Sequence, residues 1–451
     1  MSATAATATQ HHIGWAGIFR LGLVNMALGS IVIQPFTTFN QAMTQDLGMM
    51  AMLPGFLGAI YYIIQLSRPG IGHGLDQGGR KTPWMVGGMG ILALGGTAGA
   101  ASIVLMEQHA LLGILASFFA YFLIGAGSAT TGTALLTFLA SRVQPQLRSV
   151  AAMVVWPMMI FGFAVTGATV GAILDPFSTE RLFFIVATVS LIAFTVTNLA
   201  LFRLEGRPDP AATSAPRQER NPSGFMRALQ EVWADDKARR FTLFVFASML
   251  AYNAHEAIME PFARQAFDLT AGQATQLGGG YLYAGVLAGM FLAGVAGRIG
   301  PGRLGALWTW AIGGCFASGA ALAALGIGSF FNDMWPLAPS VFLLGLANGS
   351  FTVAAIGLMM RLANEGPDGR SGVRIGLWGA AQAIAFGIGI FLGTAGVDAF
   401  RILLDLPTFG YNVVFTLAAV LFMVAGWLAF RVFQLDHQES TTDARLESSA
   451  R

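Results

Sequence analysis

Between two apolar runs near its N-terminus the chain reads Gly72-His-Gly-Leu-Asp76-Gln-Gly-Gly79-Arg80-Lys81. The glycines permit a tight turn and a close approach of two helices. Asp76 is placed to cap a helix end and to pair with Arg80 or with a neighbouring helix. An ordinary basic turn accounts for Arg80 and Lys81 but not for an acid at this spacing among glycines. The stretch predicts a latch on one face of a helix bundle, with Gly72, Asp76, Gly79, Arg80 and Lys81 as its parts.

Outward from that turn, apolar runs of about the twenty residues needed to cross a bilayer recur along the chain. There are twelve, near 17–41, 48–67, 84–105, 111–140, 150–173, 182–203, 241–263, 274–294, 304–326, 338–360, 374–396 and 411–433. The fourth is long enough to tilt or to extend beyond the hydrocarbon. Composition agrees, with 55% of the residues hydrophobic and 11% charged, where a soluble chain carries roughly a quarter charged residues. The fold class is therefore an all-α membrane protein of twelve transmembrane helices. One cysteine, Cys315, excludes a disulfide framework and reads as a small packed residue. The N-terminus lacks the basic region of a signal peptide, so insertion through the first helix without cleavage is expected.

Basic residues segregate by side. Arg20, Arg68, Arg80, Lys81, Arg142, Arg148, Arg298, Arg303, Arg361, Arg370, Arg374 and Arg431 fall on one side, with those of the central loop and the C-terminal tail. Arg181, Arg264 and Arg401 fall on the other. The positive-inside rule then predicts both termini in the cytoplasm.

The longest hydrophilic stretch, Arg203–Arg240, divides the runs six and six. The expected organisation is a cytoplasmic tail (1–16), a six-helix bundle (17–203), a cytoplasmic linker (204–240), a second six-helix bundle (241–435) and a disordered polar tail (436–451). The first part of the linker is rich in Pro, Ala, Ser and Arg and reads as flexible. Its second part places Phe225, Leu229, Val232 and Trp233 on one face, an amphipathic helix for the inner leaflet. The halves echo each other. Phe122-Leu-Ile-Gly125 returns as Phe342-Leu-Leu-Gly345, and Arg148-Ser149, Trp156, Gly167 and Gly171 return at a constant offset as Arg370-Ser371, Trp378, Gly389 and Gly393. Ordered matches in equivalent spans imply parallel repeats about an axis normal to the membrane.

The seventh run carries the candidate site, in Met249–Thr270, MLAYNAHEAIMEPFARQAFDLT. A carboxylate within the hydrocarbon costs several kcal/mol and should face a bundle interior, a cavity or a ligand. Glu256 and Glu260 are four residues apart and share a helical face, with His255 beside them. The plainer alternative is that Glu260 lies at the outer mouth and Glu256 is merely paired. Neutral imidazole is a good axial ligand for a metal in a macrocycle, and a structural histidine bonded to Glu256 or Asn253 is the alternative for His255. Asn25, Gln34 and Gln382 could line a cavity or bond across helices. Trp156 and Trp378 could wall a planar ligand or anchor at an interface.

The turn at Gly72–Lys81 resembles the major facilitator signature G-x-x-x-D-x-x-G-R-K at every fixed position; Gly294-Val-Ala-Gly-Arg298-Ile-Gly-Pro-Gly-Arg303 is a degenerate copy without the acid. The resemblance implies the major facilitator fold of two six-helix halves. A narrower likeness rests on Glu260-Pro261, on Gly376-Leu-Trp-Gly-Ala-Ala-Gln382 and on Arg68-Pro-Gly-Ile-Gly. Over most of the chain, from Arg20 to about Phe433, it is similar to the bacteriochlorophyll delivery branch of the facilitators, the PucC/LhaA-type proteins of purple phototrophic bacteria. His255-Glu256 stands where that family usually has Gln-Asp, and Asn40-Gln41 where it has Asn-Arg, so no ligand role comes to His255 from the family.

The likeness implies a multi-pass protein of the bacterial inner (intracytoplasmic) membrane that assists light-harvesting complex assembly by binding and delivering bacteriochlorophyll or a late precursor. His255, Glu256, Glu260, Asn253, Gln382 and Trp378 are the candidate pigment- or substrate-binding residues, with His255 as a potential axial ligand to pigment magnesium and no other metal site. Bacteriochlorophyll is expected as cargo, not as a tightly bound cofactor. The expected partners are the lipid bilayer and light-harvesting polypeptides or pigment-biosynthesis enzymes, with no nucleic acid. No redox motif, phosphate loop or nucleophile–base pair is legible, so the sequence predicts a protein that is not an enzyme. Two alternatives are a proton-coupled facilitator for a small solute and an assembly scaffold that carries no pigment.

Overall fold

The structure, a computed structural model, describes residues 13–76, 80–144, 148–205, 230, 233–299, 306–331, 334–364, 371–404 and 407–449, and every regular element among them is a helix. The long helices are α1 (Trp15–Phe36), α2 (Met52–Gln65), α3 (Thr82–Gln108), α4 (Ala110–Arg142), α5 (Arg148–Leu174), α6 (Thr179–Leu201), α7 (Asp236–Phe267), α8 (Leu282–Ile299), α9 (Leu307–Gly328), α10 (Leu337–Asn364), α11 (Ser371–Leu404) and α12 (Pro407–Ser449). Shorter pieces extend three of them. Thr38–Gln41 and the π-helical turn Ala42–Asp46 follow α1, Arg68–Asp76 follows α2, and Ala271–Thr275 with the π-helical turn Gln276–Tyr281 leads into α8.

Ten helical stretches are long and apolar enough to cross a bilayer among the described residues. Physical causes set the other two apart. The second span breaks at Leu66 and Ser67, where Arg68 and Pro69 start a new helix, so neither piece reaches spanning length by itself. In α7 the charges of Asp236, Lys237, Arg239, Arg240, Glu256, Glu260 and Arg264 dilute an otherwise apolar face.

Helix packing repeats between the halves. In the first half α1 packs on α5 and α6, α2 on α4, and α3 on α4 and α6; the second half repeats this with α7 on α11 and α12, α8 on α10, and α9 on α10 and α12. Contacts between the halves run along α2–α11 and α5–α8, pairs that exchange under the same shift of six helices. That is the signature of an approximate two-fold axis along the bundle. Each half has its own apolar core, one built on Phe39, Tyr121 and Phe138, the other on Phe241, Phe351, Trp378 and Phe422. A smaller cluster of Ile33, Tyr283, Val286 and Met290 joins α1 to α8 between the halves. Cys315 is buried in the second core, as expected of a packed residue.

With twelve spans both chain ends reach the same end of the bundle, called here the terminal end; the opposite one is the far end. The predicted disordered tail departs from the structure, in which α12 continues to Ser449. Asp436 supplies the reason for its start: it accepts from Trp308 Nε1 at 3.0 Å and pairs with Lys237 at 2.7 Å and with Arg361, tying the polar end of α12 to three other helices. Of the predicted amphipathic helix of the linker, Phe225, Leu229 and Val232 lie outside the described residues, while its end, Asp236–Arg240, is the first part of α7.

Candidate functional site

Pro261 shapes the middle of the seam. It has no N–H, so the Ala257 carbonyl one turn earlier loses its helical donor. Asn40 of the first half fills that vacancy, donating from Nδ2 to the Ala257 oxygen. Beside it, Gln41 Nε2 donates to the Ala271 carbonyl at 3.1 Å and to Thr275 Oγ1. Ala271–Thr275 itself starts on a capping box in which Thr270 and Gln273 satisfy each other's backbone N–H groups. The π-helical turn that follows presents Gly279 backbone to backbone with Gly167 of α5, where any β-carbon would strike the neighbouring main chain. Such close approach of small residues is how transmembrane helices gain packing without a hydrophobic drive.

Charged groups close the far end. Arg264 forks onto Asp46 with contacts of 2.5 and 2.9 Å, one residue from each half. Asp175 at the end of α5 accepts from Thr270 Oγ1 at 2.5 Å and from the Gly272 N–H at 2.9 Å. Asp398 of α11 accepts the Met52 N–H at 2.6 Å at the start of α2. Sequence reading missed all three. Their only advance signal was Arg264, one of the few basic residues assigned to the side away from the termini.

The predicted site residues separate into three places. Glu256 is half-buried, accepts from Tyr283 Oη of α8 and has Tyr62 and Tyr252 as its other polar neighbours. Asn253 does not serve His255; its Nδ2 donates to the Phe386 carbonyl at 2.7 Å and its Oδ1 faces Tyr62 Oη at 3.5 Å. Gln382 is half-buried near Met249. Glu260 lies one turn further on, packed against Gly278, with Arg264 and Thr275 nearby and neither carboxylate oxygen in a hydrogen bond. The two glutamates share a face of α7, yet they do not pair with each other.

His255 and Trp378 turn away from the seam. His255 is fully buried; its Nδ1 donates to the Ala251 carbonyl at 2.8 Å and its Nε2 accepts from Asn348 Nδ2 at 3.4 Å, while Asn348 Oδ1 accepts from Ser318 at 2.8 Å. Both ring nitrogens are engaged inside the second core, which corrects the expectation of a pigment ligand there. Trp378 is fully buried, donates to Thr242 Oγ1 at 3.0 Å and meets Phe241 edge to face. It is a core residue, not a wall for a ligand. Asn25 bonds across to the Val155 carbonyl and Gln34 back to its own helix at Ser30.

Of the signature turn, the structure describes the Arg80 and Lys81 end. Glu205, buried after α6, accepts the N–H groups of Lys81 at 2.6 Å and Thr82 at 2.8 Å, and Arg80 lies 3.8 Å from it. Glu205 thus caps the start of α3 from within the same half. Gly72 is half-buried in the helix ending at Asp76. The side chain of Asp76 and the whole of Gly79 lie outside the described residues.

A groove of about 310 Å³ opens along α2–α11, lined by Phe56, Tyr62, Ile63, Ile384, Ile388 and Phe391 among others. Its lining is wholly apolar, and Tyr62 is the residue by which it meets the polar cluster of Asn253 and Glu256. No group of three or more His, Cys, Asp or Glu that could hold a metal ion occurs among the described residues.

Two matching six-helix halves, fastened along α2–α11 and α5–α8, define a membrane protein of major facilitator fold. The solved structure of a bacterial homolog to the human lysosomal transporter Spinster, inward-facing and unoccupied, superposes with a TM-score of 0.67 at 16% identity, covering 92% of this chain and 96% of that one. The family model described as PUCC protein matches residues 38–436, and the chain belongs to that family. A Rhodobacter capsulatus protein named bacteriochlorophyll synthase 44.5 kDa chain is 44% identical over 418 residues, covering 92% of this chain and 95% of that one. Protein PucC of the same organism is 28% identical over 442 residues, covering 92% and 91%. The expectation that the protein is not an enzyme is overturned here, because a relative of this similarity over nearly its whole length bears the name of a synthase chain.

Proposed function

We propose that this chain is a membrane component that works with a bacteriochlorophyll-forming enzyme, taking up bacteriochlorophyll or a late precursor from the bilayer and passing it on to the next protein. The observation that carries the reading is the α2–α11 groove, apolar along its lining and joined through Tyr62 to Asn253 and Glu256. A pigment of this class combines a greasy tail with a polar ring edge, and the groove and cluster match those two parts. At about 310 Å³ the groove is at the small end of ligand pockets, the size for a tail or part of a ring. The name of the 44%-identical relative supports the association with pigment synthesis. Glu256 and Tyr283 hold the polar edge, with both termini in the cytoplasm and the protein in the inner membrane. Light-harvesting polypeptides are the recipients in this reading.

The test is the absorption spectrum of the gently solubilised protein from a pigment-producing host. Near-infrared absorbance should co-purify with the wild type. Ile388→Trp, at an exposed groove position, should remove most of it at unchanged protein level. Equal pigment in the filled and open proteins would defeat the proposal.

A further inference from the structure

The far-end seam holds more buried acceptor oxygens than the hydrogens around them can satisfy. Asn40 is 2% exposed, Gln41 0% and Glu260 3%. The amides can be oriented only one way, because Asn40 Nδ2 and Gln41 Nε2 face the carbonyls of Ala257 and Ala271, which only accept. Their oxygens are therefore the free ends. Asn40 Oδ1, Gln41 Oε1 and both oxygens of Glu260 are buried without a hydrogen-bond partner. Thr275 ties the set together, receiving the Gln41 amide and standing beside the Glu260 carboxylate. Asn40 binds α7 within one turn of Glu260, and each half contributes to the cluster. Two π-helical turns, Ala42–Asp46 and Gln276–Tyr281, begin directly after Gln41 and Thr275, and such turns concentrate at functional sites.

We propose that Asn40, Gln41, Glu260 and Thr275 form a site for a monovalent hard cation, with Na⁺ as the fitting ion, that fastens the two halves at the far end. One carboxylate and several neutral oxygens are the donor set of a hard cation, with no nitrogen or sulfur to favour a transition metal. A single buried negative charge selects a single positive one, since a divalent ion would leave net charge in the interior. Arg264 does not fill the role, because Asp46 already engages both of its terminal nitrogens. A proton on Glu260 neutralises the charge but brings one hydrogen to one acceptor, and the Thr275 hydroxyl can add one more. A cation satisfies all of the oxygens together. Ligands drawn from both halves make the ion bind best when the far end is closed, so Na⁺ shifts the population toward that state. This inference is independent of the groove and its pigment.

The test uses the purified full chain. Its thermal unfolding is followed in NaCl and in choline chloride at equal ionic strength. Saturating Na⁺ should raise the midpoint by roughly 3–6 °C, and radioactive Na⁺ should bind saturably at one ion per chain. Glu260→Gln should abolish both effects. Gln41→Leu, which leaves the carboxylate in place, should weaken Na⁺ binding about tenfold or more, a loss of one well-placed ligand. Should Glu260→Gln fail to fold, Gln41→Leu and the binding measurement on the wild type carry the decision. Equal melting in the two salts without Na⁺ binding, Na⁺ binding unchanged in the variants, or stability that follows pH in choline with no response to Na⁺ would each overturn the proposal.

Discussion

At the far end of the bundle charged groups reach from one half to the other, whereas the ion pairs described at the terminal end join groups of the same half. Asp46–Arg264, Asp175 with Thr270 and Gly272, and Asp398 with Met52 all cross the seam. Glu205 with Arg80, Asp436 with Lys237 and Arg361, and Asp235 with Arg374 each stay within one half. Two halves fastened by cross-seam ion pairs and hydrogen bonds at one end can pivot about that end. Arg80 and Lys81 of the signature turn brace the start of α3 against the end of α6 through Glu205, and the described contacts that close the far end come from residues of no recognisable motif.

The sharpest way to break this contrast is at the backbone contact of α5 and α8. Gly167→Leu places a side chain where Gly279 already stands, with nowhere for either main chain to move. A destabilisation of about 3 kcal/mol is expected for such overpacking, seen as loss of monodisperse protein and a lowered unfolding midpoint. A midpoint equal to the wild type would mean that the far end is not held by this contact.

A smaller effect is expected from the ion pair. Asp46→Asn leaves a partly buried guanidinium without its carboxylate and costs about 1–3 kcal/mol, below the range for fully buried pairs. The far end should then open more often. With Cys315→Ala as background and a reporter cysteine at Ala271, buried in the closed state, labelling by an impermeant maleimide should rise several-fold. Exchange of the two charges, Asp46→Arg with Arg264→Asp, should return it toward the starting value. Labelling that does not change in Asp46→Asn would remove this pair from the closure.

The smallest effect belongs to the terminal end. The Arg80 side chain is 50% exposed and 3.8 Å from Glu205, and Arg80→Ala should cost less than about 1 kcal/mol. Expression and the far-end labelling pattern should be unchanged. A rise in far-end labelling would show that the two ends are coupled through the signature turn and would erase the contrast drawn here.

Much of the molecule was legible before any tertiary contact was known. The twelve spans, the echo of Trp156 at Trp378 and the acids of α7 are properties of the chain taken in order. The echo does not extend to surroundings: Trp378 is buried against Phe241, while Trp156 is 40% exposed. His255 failed as a ligand for a related reason. Its place beside Glu256 says that the two side chains point about 100° apart on a helix, and the structure gives one to the seam and the other to Asn348.

What the sequence alone determined is what the bilayer asks of each window separately: enough apolar residues to cross, and basic residues sorted by side, both of which can be read locally because no water is available to rescue a lapse. What only the tertiary structure decided is the chemistry of the seam. Asn40 meets the carbonyl left free by Pro261, and Asp46 meets Arg264, across separations of 217 and 218 residues. Those meetings depend on which face each helix turns inward. In a membrane that rotation is set by close packing of small residues such as Gly167 and Gly279, since lipid and protein interior are equally apolar and hydrophobicity cannot choose between them.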